Sequence, residues 1–293
     1  MRFAFIRAED EKKTFPVAAM CHVLQVSTSG YYAWLRRKPS ARNQRKTRLT
    51  EKVRAAHEGS RNTYGSPRVT EKLRKSGEKV SEKTVARIMQ ENELAARSKR
   101  RFKATTDSRH TKRIADNLLQ RDFVADRPNK VWVTDVTAVW TLVGWVYLAA
   151  IIDLFSRRVV GWAMSDTNDT ALALAALDGA LRLRKPARGL IHHSDRGSPY
   201  GSDLYIARLD ACGIVRSMSR QGDCYDNAVA ESLFSTLEFE CRRLHAFANL
   251  DDAQRVIGEY IDRFYNTERL HSTIDYCSPI EYEVISALGG RAA

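Results

Sequence analysis

The chain has 293 residues, 43% hydrophobic and 28% charged, with a formal net charge of +13. This composition excludes a disordered or fibrous chain, and the length allows two or three domains with a sizeable core. No window approaches the roughly 18 apolar residues of a membrane span, and the opening MRFAFIRAEDEKKTF has no apolar stretch long enough for a signal peptide.

The charge is unevenly placed. The first 110 residues hold 27 Lys and Arg against 11 Asp and Glu, while the remainder holds 21 against 24. A basic module joined to a near-neutral one predicts an arm that holds polyanions and a body with another task. A solvated basic surface is the plainer alternative. Cys21, Cys212, Cys224, Cys241 and Cys277 lie far apart with no C-x-x-C pair. That argues against a zinc ribbon or disulfide framework and for a reducing cytoplasm.

Phe15 to Leu35 reads as two short helices of helix-turn-helix size. Val17, Met20, Cys21 and Leu24 fall on one face, and Ser27 can cap a second helix carrying Tyr31, Trp34 and Leu35. A basic helical stretch follows Pro39. From Tyr64 the theme repeats: Pro67 stands near a helix start, Val69 and Leu73 point inward, Gly77 breaks the run, and Ser81 caps a helix with Val85, Ile88 and Met89 inside. Lys83 and Arg87 lie on its outer side, where a recognition helix meets DNA. SKRRFKATTDSRHTKR, with Arg100 and Arg101, reads as a basic linker.

From Asn129 the period changes. VWVTDVTAVW, GWVYLAAIIDLFS and RRVVGWAM predict three antiparallel strands. Helices over Thr170–Leu183 and Ser202–Ala211 alternate with strands in GLIHHSD and Ile214–Ser217, and Asn227–Leu244 and Asp252–Tyr265 read as long helices. The order implies an α/β fold, a mixed sheet with helices on both faces.

Three carboxylates stand out. Asp135 lies among β-branched residues in WVTDVTAV, where burial is costly unless it is paired or metal-bound. Asp195 ends a short strand in HHSDRGSPY, the end at which open sheets place ligands. Glu231 borders the apolar stripe of DNAVAESLFSTLEFE. An oxygen-only set from two strands and a helix suits Mg²⁺ or Mn²⁺, and a pair of such ions serves phosphoryl transfer. Each residue alone is weak evidence; Asp153 and Asp166 also lie near strands and read as turn or cap residues. His192 and His193 alternate along their strand and read as packed residues.

Thirty-five residues separate Asp195 from Glu231. With VWVTDVT, HHSDRGSPY and DNAVAESLF in this order, the chain resembles the DDE transposases with a retroviral-integrase-like core, most of all the second-frame protein of bacterial insertion sequence family three. FPVAAMCHVLQVSTSGYYAW, YGSPRVTEKL and YNTERLHSTIDYCSPIEYE extend the resemblance over nearly the whole chain. It implies an RNase H-like core over 128–288, preceded by helix-turn-helix segments at 1–40 and 63–103 with linkers at 41–62 and 104–127, and a tail at 289–293. Asp135, Asp195 and Glu231 match the family's catalytic, metal-binding triad. The implied activity is Mg²⁺-dependent cleavage at transposon ends followed by strand transfer, with two ions. The implied setting is double-stranded DNA in a bacterial cytoplasm, in association with the nucleoid, bound by at least a dimer.

Glu238 stands seven residues after the glutamate, where such transposases often carry Lys or Arg. End recognition is therefore expected from Arg242, Arg243 or the tail, where Asn266, Arg269 and His271 match the family pattern as phosphate contacts; helix capping is the alternative for Asn266. Full transposases of this family often fuse an upstream helix-turn-helix and zipper to this part. No sustained heptads occur here, so an upstream-frame partner is expected. Rival functions are a catalytically silent DNA-binding regulator and another RNase H-like nuclease.

Overall fold

The computed structural model describes residues 1–96, 115–220, 224–242 and 245–289, with backbone alone at Cys224 and Tyr225. The chain divides into two units, Met1–Ala55 and Ala56–Ala293. The first holds α1 (Arg2–Glu11), α2 (Val17–Val23) and α3 (Thr28–Arg36). Helix α1 was not foreseen. It supplies Ile6 and Phe3 to a small core with Met20, Cys21, Tyr31 and Trp34, so the expected helix pair packs on a third helix. Ser27 caps α3 as expected, its hydroxyl accepting from Gly30 N at 3.0 Å. The unit boundary falls within α4 (Ala41–Glu58).

The second unit begins with α5 (Ser66–Lys75) and α6 (Glu82–Glu91), whose buried Val69, Leu73, Val85, Ile88 and Met89 are the residues the periodicity assigns to the core. The pair falls in the same compact unit as the sheet. The Tyr64 hydroxyl, just before α5, donates to Glu268 O and accepts from Leu270 N. Lys75 pairs with Glu281 at 2.8 Å.

Five strands form one sheet of order β3-β2-β1-β4-β5. Here β1 is Val131–Thr141, β2 Gly144–Asp153, β3 Val159–Ser165, β4 Ile191–Ser194 and β5 Val215–Met218. β1, β2 and β3 pair antiparallel, whereas β4 and β5 run parallel to β1. Trp132, Val133 and Thr134 are successive and all buried, the signature of a strand covered on both faces. One face packs Trp132, Ile151 and Val160 against α7 (Thr170–Arg184) and α8 (Asp203–Ala211). Gly161 lets α7 lie against β3: a Cβ there would stand 2.4 Å from the Ala176 carbonyl oxygen. Towards the C-terminus come α9 (Ala228–Glu240), which contacts β1, then α10 (Leu250–Glu259) and α11 (Pro279–Ala287). The expected single helix over Asp252–Tyr265 changes to a π-helical turn at Tyr260–Tyr265.

Buried ion pairs close the sheet edge. Asp153 accepts backbone bonds from Asn129 and Phe155 and pairs with Arg184 at 3.2 Å, which gives it the turn role read from the sequence. Glu283 of α11 takes both Arg184 and Arg158 at 2.8 Å. Among the described residues no helix is long and apolar enough to cross a membrane.

Candidate active site

Strand parity decides which way Asp135 points. Trp132 and Val136 pack towards α7 and α8, so the odd positions Val133 and Asp135 face the other side. β4 lies beside β1 with Val133 opposite His193. The β1–β4 ladder ends there, and Asp195 follows just past β4, near enough for its charge to act on the Asp135 carboxyl. His192, opposite Trp132, faces α8, where its Nε2 meets the Tyr205 hydroxyl at 2.8 Å. His193 is held by the hydroxyls of Ser217 and Ser219 at 2.8 and 3.1 Å. Burial pushes the two imidazoles down to about 3 and about 4, so both are neutral packed residues, as their strand positions led one to expect.

Asp195 sits past the end of β4, and its Oδ1 accepts from Gly197 N at 2.8 Å. Glycine is needed there for the close approach: a Cβ on residue 197 would stand 2.8 Å from that same oxygen. Asp135 Oδ1 accepts from Val136 N at 2.8 Å. Glu231, in the first turn of α9, is half-buried.

The electrostatics tie these groups together. Burial pushes the Asp135 carboxyl well above its ordinary range, and the charges of Asp195 and then Glu231 push in the same direction. Burial also raises Glu231. Converging carboxylates of this kind offer the hard oxygen donors that Mg²⁺ and Mn²⁺ prefer. Among the described residues, no three acidic, His or Cys side chains are closed into a ready ligand cage.

The supporting residues were not assigned a role from the sequence. Asn227 donates from Nδ2 to Thr134 O at 3.1 Å, which ties the start of α9 to β1 one residue before Asp135. Asp226 is buried and accepts from Asn117, Arg121 and Arg220; chiefly the Arg220 hydrogen bond holds it far below the usual carboxylate range. Tyr200 is buried beneath the carboxylates, its hydroxyl 3.3 Å from Thr134 Oγ1. Asp226 and Asn227 open DNAVAES, and Tyr200 ends HHSDRGSPY, so proximity in the motif was the available signal.

The expected DNA contacts divide. Lys83 and Arg87 are exposed on α6, with Arg87 only 3.9 Å from Glu91 in a loose surface pair. Arg100, Arg101 and Arg243 lie outside the described residues. Arg242 is mostly buried and paired with Glu238 at 3.1 Å, so the unusual glutamate takes up the arginine expected to replace it. Arg269 is buried, donating to both oxygens of Glu240 at 2.7 and 2.8 Å, and His271 is buried beside Tyr265. Both line a cavity beside α9. Asn266 stands at the C-cap of the π-helical turn, its backbone N–H bonded to Ile261 O, and its side-chain amide bonds both the N–H and the carbonyl of Val159 at 3.0 Å, which closes the β3 edge.

A sheet of two antiparallel and two parallel pairings, with carboxylates on one face beside a crossing helix, defines an α/β integrase-type core. Residues 125–224 match the integrase core domain family, residues 212–279 match a second integrase core domain family, and residues 44–102 match an HTH-like domain. The chain is 43% identical over 263 residues to a 31 kDa protein of insertion element IS600 from Shigella sonnei, covering 90% of this chain and 97% of that one. It is 39% identical over 285 residues to the transposase InsF for insertion sequence IS3A of Escherichia coli K12, covering 97% of this chain and 98% of that one. The chain belongs to the transposases of the IS3 family of insertion sequences, DNA polynucleotidyl transferases with a DDE core. Its fold is similar to a chain of a simian T-cell lymphotropic virus intasome (TM-score 0.46, 14% identity, 79% of this chain and 74% of that one). It is also similar to an HTLV-2 integrase catalytic core domain in complex with magnesium (TM-score 0.41, 17% identity, 54% of this chain and 98% of that one).

Proposed function

We propose that Asp135, Asp195 and Glu231 are the catalytic carboxylates of this transposase, and that they hold two divalent cations, Mg²⁺ or Mn²⁺. The supporting observation is the raised Asp135 carboxyl, pushed up by burial and by the two neighbouring acids. Such unbalanced negative charge is costly unless a cation offsets it. Bound cations would supply Lewis acidity at a scissile phosphate.

The chain's own part is positioning. β1 fixes Asp135 on the face away from α7, the Gly197 turn fixes the Asp195 carboxylate, and Asn227 sets where α9, and so Glu231, begins. The reaction served is cleavage at a transposon end, leaving a 3′-hydroxyl that is then joined to another phosphodiester. Lys83 and Arg87 contact the DNA backbone from the exposed side of α6, and Arg100, Arg101 and Arg243 add basic charge. Two ends must be held together, so the acting species on DNA is at least a dimer, working with an upstream-frame partner in the cytoplasm at the nucleoid.

The test is cleavage of a labelled transposon end in Mg²⁺. Asp195→Asn should reduce cleavage and strand transfer together by about a thousandfold, the loss of a few kcal/mol of charge stabilisation. Unchanged cleavage would remove Asp195 from the site. Hydrolysis without strand-transfer products in the unaltered protein would favour a plain nuclease, and binding without either product would favour a silent regulator.

A further inference from the structure

A cavity of about 440 Å³ opens along the side of α9 that carries Val229, Leu233 and Thr236. Glu231 projects from another side of the helix, so this cavity is not the carboxylate site. Arg68, Arg157, Arg269 and His271 line it, with the aromatic rings of Phe123 and Tyr265. Its volume is in the range of small-ligand sites.

The charge in this cavity is one-sided. Among the described residues that line it, Glu240 alone is acidic, and both of its oxygens are occupied by Arg269. Arg68 and Arg157 form no ion pair among the described residues, although the Glu240 charge also acts on Arg68. Arg68 lies over the Tyr64 ring at 5.6 Å, and Arg157 gives one bond to Phe123 O at 3.1 Å. Arg157 reaches the cavity from the turn between β2 and β3.

His271 points to what is missing. It is 8% exposed, lines the cavity, and its buried Nε2 has no hydrogen-bond partner. A buried polar atom of this kind ordinarily has one. Burial and the charges of Arg269, Arg68 and Arg157 hold the imidazole well below its ordinary range, so the ring is neutral and can offer an N–H to an anion. Guanidinium groups match phosphate oxygens in a planar fork, and aromatic walls suit a base.

We propose that this cavity is a nucleotide-phosphate site: Arg68 and Arg157 take the phosphate oxygens, His271 completes the set, and Phe123 and Tyr265 flank the base. The buried position admits a single nucleotide or the end of an unpaired strand and excludes a duplex backbone. The phosphate chemistry stands by itself. Assigning the strand end as its source rests on the transposase reading.

The experiment uses the full chain in EDTA, so that binding is read without cleavage and independently of the carboxylates. Inorganic phosphate and dTMP are titrated by calorimetry. Labelled duplexes, blunt or with a 5′-phosphorylated single-stranded overhang, are titrated by anisotropy. Arg68→Gln and Arg157→Gln, both at half-buried positions, should each weaken phosphate-probe binding by about tenfold, as expected for loss of a charge-assisted bond, with unchanged melting; Arg157→Lys should recover part of it. Preference for the overhang over the blunt duplex, lost in the variants, assigns the site to a strand end. Binding of dTMP without that preference assigns it to a free nucleotide. If the variants bind all the probes as the unaltered chain does, or if none of the probes binds above the blunt duplex, there is no phosphate site here.

Discussion

Two carboxylates of helix α9, Glu231 near its start and Glu240 at its end, have opposite surroundings. Glu240, in the last turn, is buried yet balanced: Arg269 gives it two hydrogen bonds and the Tyr260 hydroxyl a third at 2.8 Å. Glu231, in the first turn, is pushed up by burial, and its charge adds to that of Asp195 against Asp135. A satisfied buried acid is scaffold, whereas acids left to repel one another mark a place where a cation or substrate completes the balance. The same helix thus joins a closed structural network to an open chemical one.

The comparison breaks most sharply under isosteric change at each end. Glu231→Gln should lower end cleavage by about a thousandfold with an unchanged melting midpoint, because it removes a charge that the fold does not use. Glu240→Gln should do the reverse. It leaves the Arg269 charge buried and unpaired, a loss of about 3–5 kcal/mol in urea denaturation. Glu240→Leu with Arg269→Met should recover much of that stability. If the Glu231 variant unfolds or the Glu240 variant melts normally, the division between the two ends is wrong.

A smaller effect separates the strand histidines from the carboxylates beside them. His192 titrates at its ordinary 6.5 when unfolded and at about 3 when folded. The unfolded chain therefore binds more protons between those values. The stability from the neutral ring is full above about pH 6.5 and declines as pH falls, by about 1.4 kcal/mol per pH unit for one site. His192→Phe should flatten the slope of urea stability against pH by that amount, at a constant loss of about 1 kcal/mol for the orphaned Tyr205 hydroxyl. An unchanged slope would mean that the ring is not buried neutral.

Much of this was legible in the residues. The change from helical to alternating periodicity at Asn129 marks where the sheet begins, and strand polarity followed from the order of the elements. Asp135 stood out because a carboxylate in an apolar run is costly, Asp195 because it ends a short strand and Glu231 because it borders an apolar stripe, and only their order and spacing, which resemble the family, joined the three. The packing of the tail was not legible, for a related reason. Arg269 and Asn266 look like surface contacts in sequence because charged and amide groups are usually exposed, and no local pattern reveals that Glu240, 29 residues before Arg269, or Val159, 107 before Asn266, will bond them. Helix α1 carries a weak apolar stripe, and only Ile6 is fully buried, so its periodicity had little to report.

The smallest predicted effect tests the basic arm against the core. Lys83 and Arg87 stand on the exposed side of α6, and the Arg87–Glu91 pair at 3.9 Å is surface-exposed, a type that contributes at most about 1 kcal/mol to folding. Their substitution should leave melting unchanged. If each neutralises one phosphate, the double variant Lys83→Ala, Arg87→Ala should reduce the slope of log affinity against log salt by about 2, because each contact releases close to one counterion. Affinity should then fall more at low salt than at high. A uniform loss with the slope preserved would place the phosphate contacts elsewhere on the chain and leave α5 and α6 as part of the body they fold with, not as its DNA-reading element.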